Sequence, residues 1–236
     1  MKTSNLNPSH PVLLECLNLS KVFHLHGREI PVLNRVQLSV QQGEIVVISG
    51  RSGAGKSTLL HILAGLDRPT QGTVTLNNQS LTTLSNQALS LIRQTQIGMI
   101  FQRFNLLPSW TALENVQATL FHSTLSLSER QHRARALLTD LGLAERCDHL
   151  PFELSVGQQQ RVAVARALVN SPALVFADEP SGEVDSETGT EIVNCLVRCV
   201  KKQNSTLIVA THGAFPTHIA DRRLHLTAGQ LTEHPA

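Results

Sequence analysis

The sequence predicts an α/β fold built on a mostly parallel sheet, with an antiparallel β part on its N-terminal side and a helical part inserted in its middle. Three observations predict it. Strand-like and helix-like segments alternate in the first and last thirds of the 236 residues, a helical stretch from about Ala112 to Gly142 interrupts the alternation, and the wholly apolar segment "GEIVVISG" runs through a glycine-rich loop into a helix. Strands that alternate with helices pair in parallel, because the crossover helix covers the sheet it connects.

The elements follow in order. "LLECLNLSKVF" and "PVLNRVQLSV" carry alternating apolar and β-branched residues and read as strands. "GEIVVISG" is a continuous apolar run and reads as a strand buried on both faces. From Lys56, "KSTLLHILAGL" has apolar residues at helical spacing, with Gly65 and Pro69 as the stop. "GTVTLN" and "IGMIFQ" are the next strands, and in the helical stretch that follows Ser128 and Gln131 have the spacing of a capping box. The last third gives helix "GQQQRVAVARALV", strand "ALVFAD", helix "SETGTEIVNCLVRCVKK", strand "TLIVATH" and the hairpin "RRLHLTAGQL". No repeat and no low-complexity linker divides the chain, so residues 1–236 read as one domain with a helical subdomain at about 103–168.

Composition narrows the partners. Lys plus Arg number 20 against 18 Asp plus Glu, so no strong field points to nucleic acid or an anionic membrane. No apolar run is long enough to span a bilayer, and "MKTSNLNPSHPVLL" lacks a basic region followed by an apolar stretch, so a cytoplasmic chain is expected. Cys16, Cys147, Cys195 and Cys199 are scattered without partner ligands at zinc-finger spacing, and buried reduced thiols are the expectation.

The chemistry starts at "GRSGAGKST", Gly50 to Thr58, which fits G-x-x-x-x-G-K-[ST]. Gly50, Gly53 and Gly55 let backbone amides turn inward around phosphate oxygens, and the helix that follows adds its positive end. The whole loop, with Arg51, Ser52, Ala54 and Thr58, is expected to hold a nucleotide. Lys56 is placed to reach the β and γ phosphates, and Ser57 to ligate magnesium. By itself this defines only a nucleotide-binding P-loop, which serves many chemistries.

The choice among them comes from "ELSVGQQQRVAVARALVNSPALVFADEPSGEVD". This resembles the signature of the ABC ATPases, with L-S-x-G-Q at Leu154 to Gln158, a helix, and then the strand "LVFADE". An acidic pair after a strand is otherwise ordinary solvated charge. The resemblance implies that Asp178 holds magnesium through water and that Glu179 is the base or orienting group for the attacking water. It also implies that Gln102, in "IFQRFNLLP", is the glutamine that senses magnesium and water where a membrane subunit docks. His212, in "LIVATHG", matches the switch histidine at the γ phosphate. Asp185 matches the end of the D-loop, and Phe23, in "SKVF", sits where an aromatic ring stacks on adenine. The likeness runs from about Leu13 to Leu231 and implies a RecA-like P-loop NTPase core with ATP and Mg2+ as cofactors.

A head-to-tail homodimer is implied as well. Each ATP lies between the Gly50–Thr58 loop of one copy and the "LSVGQ" of the other, with Ser155, the Gly157 amide and Gln158 completing the γ-phosphate shell. A lone chain should then hydrolyse poorly, and the helical insert should pass closure to an integral membrane permease. "FQRFNLLPSWTALENV", "LVFADEPSGEVDSETG" and "DRRLHLTAGQL" look most like the lipoprotein-releasing and macrolide-exporting branch, the LolD, MacB and YbbA group. That branch serves FtsX-like permeases from the cytoplasmic face of the inner membrane. The alternatives are an FtsE-like regulator of cell-wall cleavage and a soluble ABC ATPase acting on DNA or ribosomes; the latter carry tandem units, coiled coils or zinc modules that this chain lacks. Three positions depart from the pattern: Val156 for the first glycine of L-S-G-G-Q, Glu183 for Asn in the D-loop, and Gly213 for Asp after the histidine. The β-branched Val156 narrows the backbone choices and predicts weaker or slower closure.

Overall fold

The computed structural model describes residues 11–212, 215–216 and 219–233, and Gly213 lies outside them. Two sheets form its frame. In the first, β1 (Val12–Leu25) pairs antiparallel with β2 (Arg28–Gln41) and with β4 (Gln71–Leu76), and the short β5 (Gln79–Ser80) closes the edge. β1 and β2 turn through His26 and Gly27, both at positive φ (50° and 76°), as a two-residue hairpin turn requires.

The second sheet has the order β10-β9-β3-β8-β7-β6. β3 (Ile45–Ser49), β6 (Ile97–Ile100), β7 (Leu174–Asp178), β8 (Thr206–Thr211) and β9 (Arg222–Thr227) are parallel neighbours, and β10 (Gln230–Glu233) returns antiparallel to β9. β7 and β8 are buried at every position, the pattern of strands covered on both faces.

Alternate residues of a strand point to opposite faces, so the sheet divides the core in two. On one face Val46, Ile48, Phe176 and Ile208 pack with Leu59, Leu60 and Leu63 of α1 (Lys56–Leu63) and with Leu14, Leu19 and Val36 of the first sheet. On the other face Ile45, Val47, Val175 and Val209 pack with Ile192, Leu196 and Val200 of α6 (Ser186–Lys202). α3 (Ala112–Gln117), α4 (Leu127–Asp140) and α5 (Val156–Leu168) add Val116, Leu138 and Val164 to that same cluster. The helical insert thus shares apolar core with the sheet.

Two helical details differ from the sequence expectation. The stretch Ala112–Gly142 is not continuous: α3 passes into a 3-10 turn, Ala118–Leu120, and α4 begins afresh at Leu127. Its capping box is Ser126 with Glu129, not Ser128 with Gln131. The Ser126 hydroxyl accepts from the Glu129 amide at 3.3 Å, and the Glu129 carboxylate accepts from the Ser126 amide at 2.7 Å. A carboxylate is the stronger acceptor and is favoured at a positive helix end, which the Gln131 amide is not. The second difference is α2 (Asn86–Gln96), which the sequence reading passed over. It buries only Leu89 and Ile92, too thin a stripe to stand out in a polar segment, although Ser85 caps it. Among the described residues no helix is long and apolar enough to cross a membrane.

Candidate functional site

Strand order gathers the site. β3, β8 and β7 are adjacent and parallel, with Ser49 beside Thr211 and Asp178 beside Ala210, so the segments leaving their C-terminal ends emerge along one edge. Those segments are the glycine loop, Glu179 and His212. Ligands of open α/β sheets bind at that edge.

Gly50 and Gly55 are demanded by close packing. A Cβ on Gly50 would lie 2.6 Å from the Leu226 carbonyl oxygen, and one on Gly55 would lie 2.8 Å from Val32 Cγ1. α1 starts with Gly55 in the left-handed region (φ 99°) and no side chain accepts from its first amides. An uncapped helix start facing a glycine loop is a cradle for an anion. Lys56 is buried there, its ammonium donating to the carbonyls of Gly50 at 3.0 Å and Arg51 at 3.3 Å and lying 3.3 Å from Glu179 Oε1.

Asp178 is 5% exposed, and its Oδ1 is buried without a hydrogen-bond partner. Burial pushes its carboxyl above the usual range, against the opposing pull of a hydrogen bond with Ser57 and of the nearby Lys56 charge. A buried, orphaned carboxylate oxygen beside a serine hydroxyl suits a hard, hydrated cation such as Mg2+. Glu179, next in the chain, takes a left-handed backbone (φ 49°), rare for a residue with a Cβ, and its amide donates to the Ala210 carbonyl at 2.8 Å. That twist turns its carboxylate under His212, whose amide donates to Oε2 at 3.0 Å and whose Nδ1 lies 2.7 Å from the same oxygen.

The remaining expected residues fall into two groups. Gln102 is exposed two residues beyond β6, which pairs with β7 through Ile100 and Ala177, so it leaves the sheet at the same edge. Phe23 is 40% exposed, with the Lys21 ammonium 4.8 Å from its ring centre. Its cross-strand partner Ile30, with Val32, lines a cleft of 890 Å³ against Arg51–Ala54 and the turn after β9.

The signature and the D-loop stand apart, as helix caps. Ser155 caps α5, accepting from the Gln158 amide at 3.3 Å, while the Gln158 side chain accepts from the Ser155 amide at 3.0 Å. Neither bond reaches Lys56, Asp178 or Glu179. Gly157 is where α5 meets α6: a Cβ there would lie 2.6 Å from Thr188 Cγ2. Asp185 caps α6, and the bonds from the Thr188 and Glu187 amides, at 3.0 and 3.1 Å, help hold its carboxyl below the usual range. The structure therefore brings Lys56, Ser57, Asp178, Glu179 and His212 together and leaves Ser155, Gly157, Gln158 and Asp185 on another face of contact. His61, which the sequence does not single out, meets Phe101 at the β6 end beside Asp178; its only signal is the one-turn spacing from Ser57.

An anion cradle, a cation-seeking carboxylate and a second carboxylate held against the lysine together define a nucleoside triphosphatase of the P-loop α/β class. The ABC transporter family model matches residues 33–182. The chain belongs to the ABC transporter family, as an ATP-binding, ATP-hydrolysing subunit of the LolD/MacB branch. It is 43% identical over 220 residues to the lipoprotein-releasing system ATP-binding protein LolD of Syntrophotalea carbinolica, covering 93% of this chain and 97% of that protein. It is 40% identical over 221 residues to the macrolide export ATP-binding/permease protein MacB of Marinobacter nauticus, covering 94% of this chain and 34% of that longer protein. Among solved structures, the dimeric post-hydrolysis state of the ATP-binding cassette MJ0796 bound to ADP and Pi is similar with a TM-score of 0.87 at 37% identity, over 95% of this chain and all of that one (100%).

Proposed function

We propose that the chain works as a homodimer on the cytoplasmic face of a membrane, where it hydrolyses Mg2+-ATP to drive an FtsX-like permease. The observation that carries this reading is the division of the site: Lys56, Asp178 and Glu179 converge on one edge, while the side chains of Ser155 and Gln158 are engaged in each other's helix cap at the start of α5. A second copy facing the first head to tail supplies its Ser155, Gly157 amide and Gln158 to the open side of the glycine loop. The names and the dimeric relative support the pairing and the membrane partner; the nearly balanced charge supports no nucleic-acid role.

In this reading Lys56 leaves Glu179 for the β and γ phosphates, and the α1 amides and loop amides Arg51–Thr58 hold the remaining oxygens. Phe23 stacks on the base. Ser57 and Asp178, with Gln102, would hold Mg2+, which when bound would neutralise phosphate charge. Glu179, released by Lys56, accepts a proton from or orients the attacking water, and His212 turns from Glu179 to the γ phosphate. Asp185 lies at the dimer face. Residues 103–168 act as a helical subdomain that carries closure to the permease.

The test is a trap. Glu179→Gln, held with ATP and magnesium in detergent-solubilised membranes, is isolated and its companions identified. A permease with few spanning helices and a large outer domain supports the reading. A many-helix permease breaks the FtsX-like assignment, and ribosomes, DNA or no partner overturn the membrane role.

A further inference from the structure

His61 sits on α1 one turn beyond Ser57, and helical spacing places both on one face. α1 packs on β7, where Ser57 hydrogen-bonds with Asp178, and the β6–β7 register that sets Ile100 beside Ala177 brings the next residues, Phe101 and Asp178, side by side. The imidazole also meets Phe101, the residue before Gln102, with ring centres 6.3 Å apart and planes at 58°. Through Phe101, His61 thus stands beside the two strand ends that carry the proposed magnesium carboxylate and the glutamine segment. Its Nε2 is buried without a hydrogen-bond partner, and so is Asp178 Oδ1.

A histidine kept only for packing has its buried ring nitrogen satisfied by the fold, because an unmade bond there is costly. Two orphaned buried atoms on neighbouring side chains share one chemical need. Asp178 Oδ1 accepts only, and the Nε2 of a neutral imidazole protonated at Nδ1 accepts as well. Water bound to a divalent cation is a strengthened donor with two protons to give, and it satisfies both.

We propose that His61 is a positioning residue of the magnesium site, holding through Nε2 a water of the metal's shell that Asp178 also holds, while its ring braces Phe101 beside Gln102. The proposal rests on the reading of Asp178 as a magnesium-holding residue. It assigns no proton transfer to His61; the imidazole orients the shell and leaves the reaction to Glu179.

The experiment reads metal-assisted binding, not turnover. The affinity for ATP is measured with Mn2+ and again in EDTA, on the full chain carrying Glu179→Gln, and the ratio of the two reports what the metal adds. His61→Leu is expected to lower that ratio about tenfold with binding in EDTA unchanged, the loss typical when a residue behind the metal ligands is removed. His61→Gln, which keeps an acceptor, retains most of the ratio. An unchanged ratio in His61→Leu, or equal losses in Leu and Gln, makes the histidine a packing residue and overturns the proposal. Should the leucine variant fail to fold, His61→Asn is compared with His61→Gln: the shorter amide, which stops short of the Nε2 position, is expected to lose the ratio, and equal ratios overturn the proposal. Asp178→Ala separates the two readings, since an unchanged ratio there removes the magnesium site itself whatever His61 does.

Discussion

Lys56 and Glu179 hold each other in this structure: the ammonium lies 3.3 Å from Oε1, with the two side chains only 6% and 9% exposed. The cation proposed for the phosphates and the carboxylate proposed for the water are paired until a nucleotide takes the cation away. The pairing neutralises two charges that burial would otherwise penalise.

Lys56→Ala removes both functions of that cation. ATP affinity is expected to fall by about tenfold or more, the scale of a lost charge-assisted bond, and turnover to vanish. Equilibrium binding of ATP and phosphate release check this, and unchanged hydrolysis removes the P-loop reading.

Asp178→Asn should make the nucleotide-free protein more stable and less active. Burial raises the folded-state carboxyl above its unfolded value, so the native state binds the proton more tightly and gains stability as pH falls through the folded value toward the unfolded one. The asparagine keeps a polar partner for Ser57 without the buried charge. Melting temperature against pH is the measurement: the difference between variant and wild type is largest near neutrality and shrinks on acidification. A variant less stable than wild type at neutral pH contradicts the assignment.

Gly157→Ala drives a methyl to 2.6 Å from Thr188 Cγ2 and forces α5 away from α6. Overpacking of this kind costs about 1–3 kcal/mol. Thr188→Ser deletes the offending methyl while leaving the backbone amide that Asp185 caps, so it should restore most of the loss. A denaturant series on the two single variants and the double variant decides it, and additive losses would show that the clash is relieved elsewhere.

Glu129 gives a pH signature of the α4 cap. Its hydrogen bonds with Ser126, side chain first and backbone second, hold its carboxyl below the usual range. A depressed folded value means that the contribution is present above the unfolded value, about 4.3, and is lost as pH falls through the folded one. Glu129→Gln keeps the acceptor but cannot titrate, so its melting temperature should lie below wild type near neutrality and converge with it in acid. Parallel curves would remove Glu129 from the acid response.

Much of this was legible beforehand because it is local. The glycine loop, the acidic pair and the L-S-x-G-Q run are each contiguous in the chain, β3 is apolar enough on both faces to read as a buried strand, and β7 and β8 read as strands. α2 was passed over because only Leu89 and Ile92 anchor it. The break between α3 and α4 was hidden because residues in the connecting turn continue an apolar pattern, and only the Ser126–Glu129 bonds show where the helix restarts.

By itself the chain determined the kind of site and its parts, since loop, strand and helix follow one another within reach of a single turn. Only the tertiary structure decided which parts meet. β8 is made late yet lies between β3 and β7, and that interleaving carries His212 onto Glu179 and Glu179 onto Lys56. It also decided the left-handed turn at Glu179, which the hydrogen bond from its amide to the Ala210 carbonyl of the neighbouring strand secures. Such contacts join residues far apart in sequence, and local patterns of burial and spacing do not encode which strand will lie beside which.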